Sequence, residues 1–228
     1  NYIKMEPTFS PLPCTAIIDA LDLIMNNNVF QFGDTYWHQL TGTAMGTPPA
    51  CSYATIYYAL HETVLLAKYR KYFKFYKRYI DDVFGIWIPI DLGTDDETFS
   101  EFTDDLPFGS LRWEVSPRSL SVVFLDMTIS IREGRVHTVL YEKAMNLYLY
   151  ISPHSAHPPG VLSGLIIGNI QRIHHLCSNA VDRCRLYNVF YRRLLARGYT
   201  PQHLTHLFDR GFQLARTHPA PTLKNKPA

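Results

Sequence analysis

Apolar side chains recur at helical spacing early in this chain, give way to β-prone stretches in its middle, and return to helical spacing over its last third. Ile17, Leu21, Ile24 and Met25 fall on one side of a 3.6-residue repeat, so residues 14–28 predict an amphipathic helix that stops at Asn26-Asn27-Asn28. Val29 to Phe32, Gly33-Asp34 and Thr35 to Gln39 predict a β-hairpin, because β-prone residues flank two turn formers. Leu40 to Pro49 is rich in Gly, Thr and Pro and reads as a loop. Ala50 to Tyr69 is apolar and aromatic at helical spacing, which predicts a long buried helix. Phe73 to Tyr79 and Val83 to Ile88 predict a second hairpin, with Asp81-Asp82 at its turn. Asp95 to Asp105 predicts an acidic amphipathic helix with Phe99 and Phe102 inward. Strands are expected over Leu111–Val115, Leu120–Ile131 and Arg135–Tyr141. Helices are expected near 160–178, 180–197 and 201–216, entered after Pro158-Pro159 and broken at Gly198 and Pro201.

The pattern is that of an α+β domain over about residues 1–145, a helical domain over 146–218, and a Pro- and Lys-containing tail over 219–228 that is expected to be loose. With 228 residues and 46% hydrophobic content, the chain is long and apolar enough for one large domain or two small ones, which excludes a disordered chain. No apolar run is long enough to span a bilayer, so no membrane partner is expected. The start, Asn1-Tyr2-Ile3-Lys4-Met5, has no signal-peptide pattern and no initiator Met, which suggests a fragment whose beginning lies upstream.

Four cysteines, Cys14, Cys51, Cys177 and Cys184, form no disulfide framework, so a reducing intracellular compartment, nuclear or cytoplasmic, is expected. His174, His175, Cys177 and Cys184 lie near one another in sequence, but their spacing matches no common zinc motif, and they are read as helix-packing residues. Charge is unevenly spread. Residues 1–126 carry nine Lys and Arg against sixteen Asp and Glu, a net of −7; residues 127–228 carry thirteen against four, a net of +9. An acidic half joined to a basic half fits a metal-binding region beside one that grips nucleic acid.

Asp81 and Asp82 stand between two β-prone segments, where a tight turn would push both carboxylates out at one edge of a sheet. Adjacent like charges need a compensating positive charge, and a divalent cation supplies one. Mg²⁺ takes oxygen ligands and commonly keeps one or two carboxylates plus substrate phosphates. Asp-Asp in a turn is also ordinary turn chemistry. The basic-aromatic approach Lys74-Phe75-Tyr76-Lys77-Arg78 and the apolar strand after the pair favour the chemical reading.

Tyr79-Ile80-Asp81-Asp82-Val83-Phe84 resembles the catalytic turn of reverse transcriptases. Gln39-Leu40-Thr41-Gly42-Thr43-Ala44-Met45-Gly46-Thr47-Pro48 resembles the loop that faces template and nucleotide in that family, and Glu62 in the following helix fits as well. Val123-Phe124-Leu125-Asp126 resembles the strand near the primer grip. Ser155-Ala156-His157-Pro158, Arg172 and Leu195-Ala196-Arg197-Gly198-Tyr199 resemble the thumb of Penelope-like retroelements, relatives of telomerase. Order and spacing agree over roughly residues 14–217.

The resemblance implies a polymerase palm, an antiparallel sheet with packed helices, followed by an all-helical thumb. It implies RNA-directed DNA polymerisation: nucleotidyl transfer from a dNTP to a DNA primer on an RNA template, with two Mg²⁺ ions and Mn²⁺ as the alternative. Asp81 would bind metal and Asp82 would support the site. Tyr79, Gln39, Gly42, Thr43, Met45 and Gly46 would face nucleotide and template, and Phe124, Leu125 and Asp126 would mark the primer grip. Many reverse transcriptases carry Gln where this chain has Gly42. Lys77, Arg78, Arg172, Arg192, Arg193 and Arg197 would contact nucleic acid, with Tyr187, Phe190, Tyr191 and Tyr199 interleaved among the basic residues of the tail.

The family also needs an Asp on a strand before the segment resembling Thr15 to Leu23, and residues 1–13 contain none. Glu6 precedes Pro7 outside any strand pattern, while Asp19 and Asp22 fall in a predicted helix. Truncation or decay of a mobile-element copy would explain this, and little or no polymerase activity is expected of the chain alone. A non-catalytic nucleic-acid-binding module derived from such an enzyme is the second reading. An ordinary α+β domain with a fortuitous Asp-Asp turn is the third. Oligomeric state is not legible.

Overall fold

Pro13, which lacks the N–H that a first helical turn leaves unused, precedes helix α1 (Cys14–Asn26). The computed structural model describes residues 13–217. Glu6 and the tail from Pro219 therefore lie outside the described residues, which divide into two compact units between Val115 and Ser116. Among the described residues the chain is α+β, with six α-helices and three small antiparallel sheets of two, two and three strands.

In the first unit, α1 leads into hairpin β1 (Val29–Phe32) and β2 (Thr35–His38), where Phe32 faces Thr35 across Gly33-Asp34. Helix α2 (Ala50–Tyr69) runs through a short 3₁₀ turn, Arg70–Tyr72, into β3 (Phe73–Tyr79), which pairs with β4 (Asp82–Trp87). Helix α3 (Asp95–Asp104) places Asp95, Asp96 and Glu97 in its first turn, where negative charge complements the helix dipole. The core is aromatic: Leu65, Tyr69, Phe73, Phe102 and Leu106 are buried, with Tyr72, Tyr76, Trp87 and Phe99 against them. Tyr72 stacks on Trp87 at 4.9 Å, and Phe73 meets Trp87 and Phe102 edge-on, each at 5.1 Å.

Gly85 makes that packing fit. A Cβ at this β4 position would lie 2.7 Å from Cε1 of the buried Phe73 ring. Gly85→Ala is expected to cost about 1–3 kcal/mol, the usual scale of overpacking a fitted core. Urea unfolding followed by tryptophan fluorescence checks it, since Trp87 sits against the displaced ring; an unchanged midpoint would mean that the ring swings aside freely.

In the second unit, β5 (Ser121–Phe124), β6 (Met127–Arg132) and β7 (Arg135–Leu140) form a meander. Three helices follow: α4 (Val161–Leu176), α5 (Ala180–Ala196) and α6 (Pro201–Thr217). The Asn179 side chain accepts the Asp182 N–H at 2.7 Å, capping α5, and Gly198 with φ of 98° follows its end in the left-handed conformation. Ile166, Ile170, Phe190, Leu194, Leu204 and Phe208 form the buried centre of the helices.

Three features differ from the expectation. Leu111–Val115 is not a strand; it holds only an isolated bridge between Phe108 and Leu111. The expected strand over Leu120–Ile131 is two strands, because Leu125 takes φ of 52° and reverses the chain between Phe124 and Met127. The unit boundary falls at 115/116 rather than near 145, because the meander shares a core with α4 and α5. Ile173, Cys177 and Leu186 pack on Val139 and Leu140, and Ser178 N–H donates to Thr138 O at 2.9 Å. Among the described residues no helix is long and apolar enough to cross a membrane.

Candidate carboxylate site on the β3–β4 turn

The pairing of Tyr79 with Asp82 leaves Ile80 and Asp81 as a two-residue connection. Ile80 takes φ of 54°, a left-handed conformation that costs a β-branched residue on the order of 1–2 kcal/mol. Arg78 holds the turn from beneath. Its Nη1 donates to the Ile80 carbonyl at 2.9 Å, while Nε and Nη2 donate to the two oxygens of Glu62, each at 3.0 Å. Nη2 also donates to Thr55 O at 3.2 Å on α2. Tyr76 Oη donates to Glu62 Oε1 at 2.9 Å, and the Arg78 guanidinium lies 5.3 Å from the Tyr58 ring centre.

The side chains of Arg78 and Glu62 are only 6% and 14% exposed, so this forked ion pair is desolvated and structural. Burial pushes the Tyr58 hydroxyl up to about 12, and burial with the Glu62 hydrogen bond raises that of Tyr76 as well. Both hydroxyls stay protonated at neutral pH and so can donate, Tyr58 to Leu106 O and Tyr76 to Glu62.

Strand alternation then separates the basic residues that the sequence grouped together. Arg78, expected to contact nucleic acid, points inward and spends four of its five N–H donors on Glu62, Ile80 and Thr55. Lys77, one position away, is exposed. Asp81 and Asp82 are both exposed at the end of the hairpin, and Tyr79 beside them is 60% exposed. The motif reading named Glu62 beside the Gly-rich loop and Arg78 among the nucleic-acid contacts, but not the bonds that join them to each other and Glu62 to Tyr76.

The Gly-rich loop is shaped by its own contacts. Gly42 and Gly46 take φ of 82° and 94°, which requires glycine or strain. Gln39 Nε2 donates to Thr41 O at 2.9 Å, and its backbone N–H donates to Asn28 O at 2.9 Å. Thr43 Oγ1 contacts Met25 Sδ at 3.9 Å, tying the loop to α1, and Met45 is 100% exposed. Among the described residues no hydrogen bond or ion pair joins this loop to the carboxylate turn.

Two hard oxygen donors suit Mg²⁺. Among the described residues, however, no group of three or more His, Cys, Asp or Glu converges to hold a metal. Asp81 and Asp82 are two adjacent carboxylates with no third such group beside them among the described residues.

In the second unit, Phe124 ends β5, Leu125 and Asp126 form the turn into β6, and Asp126 meets Arg172 Nη2 at 2.6 Å. Arg193 pairs with Glu142 and lies 3.6 Å from the Tyr148 ring centre, and Arg197 Nε donates to Tyr150 O at 2.6 Å. Arg192 is exposed to solvent. Cys177 is buried with Ile173 and Leu186, and its Sγ accepts the Leu140 N–H at 3.5 Å. Comparison of the chain with protein-family models, curated proteins and solved structures gives no match.

Proposed function

We propose that this chain is a palm-and-thumb fragment of an RNA-directed DNA polymerase of the Penelope-like retroelement kind, working in the nucleus or cytoplasm on an RNA template and a DNA primer. The observation that carries the reading is the β3–β4 turn. It presents two adjacent, solvent-facing carboxylates on a connection held from below by Arg78 and Glu62. A turn fixed in this way can hold carboxylates at a set position while a primer end and a nucleotide are brought to them.

In the complete enzyme two Mg²⁺ ions would activate the primer 3′-hydroxyl and stabilise the leaving pyrophosphate. Asp81 would hold metal, Asp82 would complete its surroundings, and Tyr79 would pack beside the nucleotide or primer end. Gly42 and Gly46 would let loop backbone approach template and nucleotide. The exposed basic residues, Lys77 and Arg192 among them, would neutralise phosphates.

Among the described residues no third acidic ligand joins the two carboxylates, and the narrower form of the proposal is that the chain by itself binds primer–template without extending it. The purified chain, given poly(rA)·oligo(dT), dTTP and Mg²⁺, is expected to give no extension above background. It should bind the same heteroduplex with an affinity that falls steeply between 50 and 200 mM salt, by about a hundredfold or more for several phosphate contacts. Extension abolished by Asp81→Ala would overturn the inactive-fragment reading. Failure to bind heteroduplex at low salt would overturn the nucleic-acid reading itself.

A further inference from the structure

The second unit contains a cleft of about 650 Å³ whose lining includes Asp126, Arg172 and Arg193, so a binding role for it rests on the nucleic-acid reading of those residues and goes beyond it to a single bound unit. Its size falls in the range of small-molecule sites, about 300–1,000 Å³. One wall is α4, where Gly164, Gly168 and Arg172 recur every four residues along one stripe of the helix. Four residues of helix rise about 6 Å, so the two glycines form a backbone ledge with the guanidinium one step beyond its end. A mid-helix glycine is unfavourable unless something requires it. Packing does not, because a Cβ at Gly164 or Gly168 would meet nothing within 4 Å. The space lies open to the cleft.

The lining also includes Tyr148, with the Arg193 guanidinium over its ring, and Lys143 on the same loop. The cleft thus holds three cations, Lys143, Arg172 and Arg193, against two carboxylates, Asp126 and Glu142. The Arg193–Glu142 pair is mostly sheltered, whereas Arg172 and Asp126 are both about half exposed. An exposed pair contributes little to stability, so a better anion can displace Asp126 from Arg172. A phosphate offers the same forked acceptor geometry with more charge.

We propose that this cleft binds a nucleotide, its planar base lying on the Gly164–Gly168 ledge and its phosphate taking Arg172 from Asp126. The nucleotide is either free or one unit of a polynucleotide strand, and the chemistry on this side of the protein is the same for both. Phosphate binding by Arg172 needs no divalent ion, so the site is tested in EDTA, with heteroduplex binding read separately so that failure here and failure of the polymerase reading are distinguished.

The full chain is titrated with AMP, with an eight-nucleotide oligo(dA), and with inorganic phosphate as the base-free control. AMP or oligo(dA) is expected to saturate at least tenfold more tightly than phosphate. Gly168→Leu, which fills the ledge, should weaken that binding at least tenfold while keeping or raising the melting temperature. Arg172→Gln should weaken AMP and phosphate alike. Displacement of oligo(dA) by AMP assigns the site to free nucleotides, whereas oligo(dA) binding that AMP does not displace assigns it to a strand; sensitivity to Gly168→Leu supports the proposal in either case. Binding that Gly168→Leu leaves unchanged, affinity for phosphate equal to that for AMP and oligo(dA), or no saturation by either nucleotide probe would overturn it.

Discussion

Glu62→Ala is expected to destabilise the first unit by about 3–5 kcal/mol, the scale of stripping one partner from a buried ion pair. A small domain is stable by only about 5–15 kcal/mol, so the variant should unfold at far lower urea or fail to fold at all. The cost comes from Arg78. Its side chain is 6% exposed, and without Glu62 its Nε loses its acceptor, while Nη1 and Nη2 keep only backbone carbonyls. Tyr76 Oη also loses its acceptor in a half-buried setting. Replacing both ions with apolar residues of similar size, Glu62→Leu with Arg78→Met, should recover most of the loss, because a whole buried pair can be exchanged for packing at little net cost. The double variant still lacks the donor to Ile80 O, so the strained turn should loosen even where the fold returns. Urea unfolding by tryptophan fluorescence reads the comparison, since Trp37, Trp87 and Trp113 all lie in this unit. A Glu62→Ala midpoint within about 1 kcal/mol of the parent would mean that water reaches the pair and that it does not clamp the turn.

The helices were legible because their signals are local. Ala50 to Tyr69 was expected and found as one helix, and Phe73 to Tyr79 was expected and found as one strand. The last three helices fall within two residues of their expected ends, since Gly198, Pro201 and the Asn179 cap mark boundaries that any context would respect. The missed turn at Leu125-Asp126 and the one expected at Asp81-Asp82 but found one residue earlier, at Ile80-Asp81, share a backbone device, a branched aliphatic residue at φ near 50° followed by Asp. Neither Ile nor Leu signals a turn by propensity, so only flanking cues could reveal one. Asp81-Asp82 supplied such a cue, and Asp126, standing alone in an apolar run, did not.

At the site, sequence placed the carboxylates at a hairpin turn but could not sort the basic residues around them. Lys77 and Arg78 look interchangeable as a basic pair, yet strand alternation sends one to solvent and the other under the turn. The arginines of the second unit show the same limit. Arg192 and Arg193 are neighbours, but Arg193 turns to Glu142 and Tyr148, contacts set by the loop over 141–150. Partners forty or more residues away leave no local trace, so a count of arginines overstates the cations available to a phosphate backbone.

Phe190→Ala is expected to cost the second unit about 3–5 kcal/mol, the usual penalty for truncating a buried aromatic residue. Phe190 is fully enclosed on α5, meeting Tyr150 edge-on at 5.2 Å and Phe208 of α6 at 5.6 Å. It joins three segments distant in sequence, and each loses a ring contact when the side chain is cut back. Phe190→Leu keeps much of the volume and should cost less than about 1.5 kcal/mol. The contrast between the two variants separates cavity formation from loss of aromatic geometry. Circular dichroism at 222 nm during urea unfolding follows the three long helices that this residue holds together. Phe190 also lines the nucleotide cleft, so Phe190→Leu should fold and yet bind AMP more weakly if the floor shapes that site. Equal losses of stability for Ala and Leu would instead place the energy in the ring contacts with Tyr150 and Phe208 rather than in the filled volume.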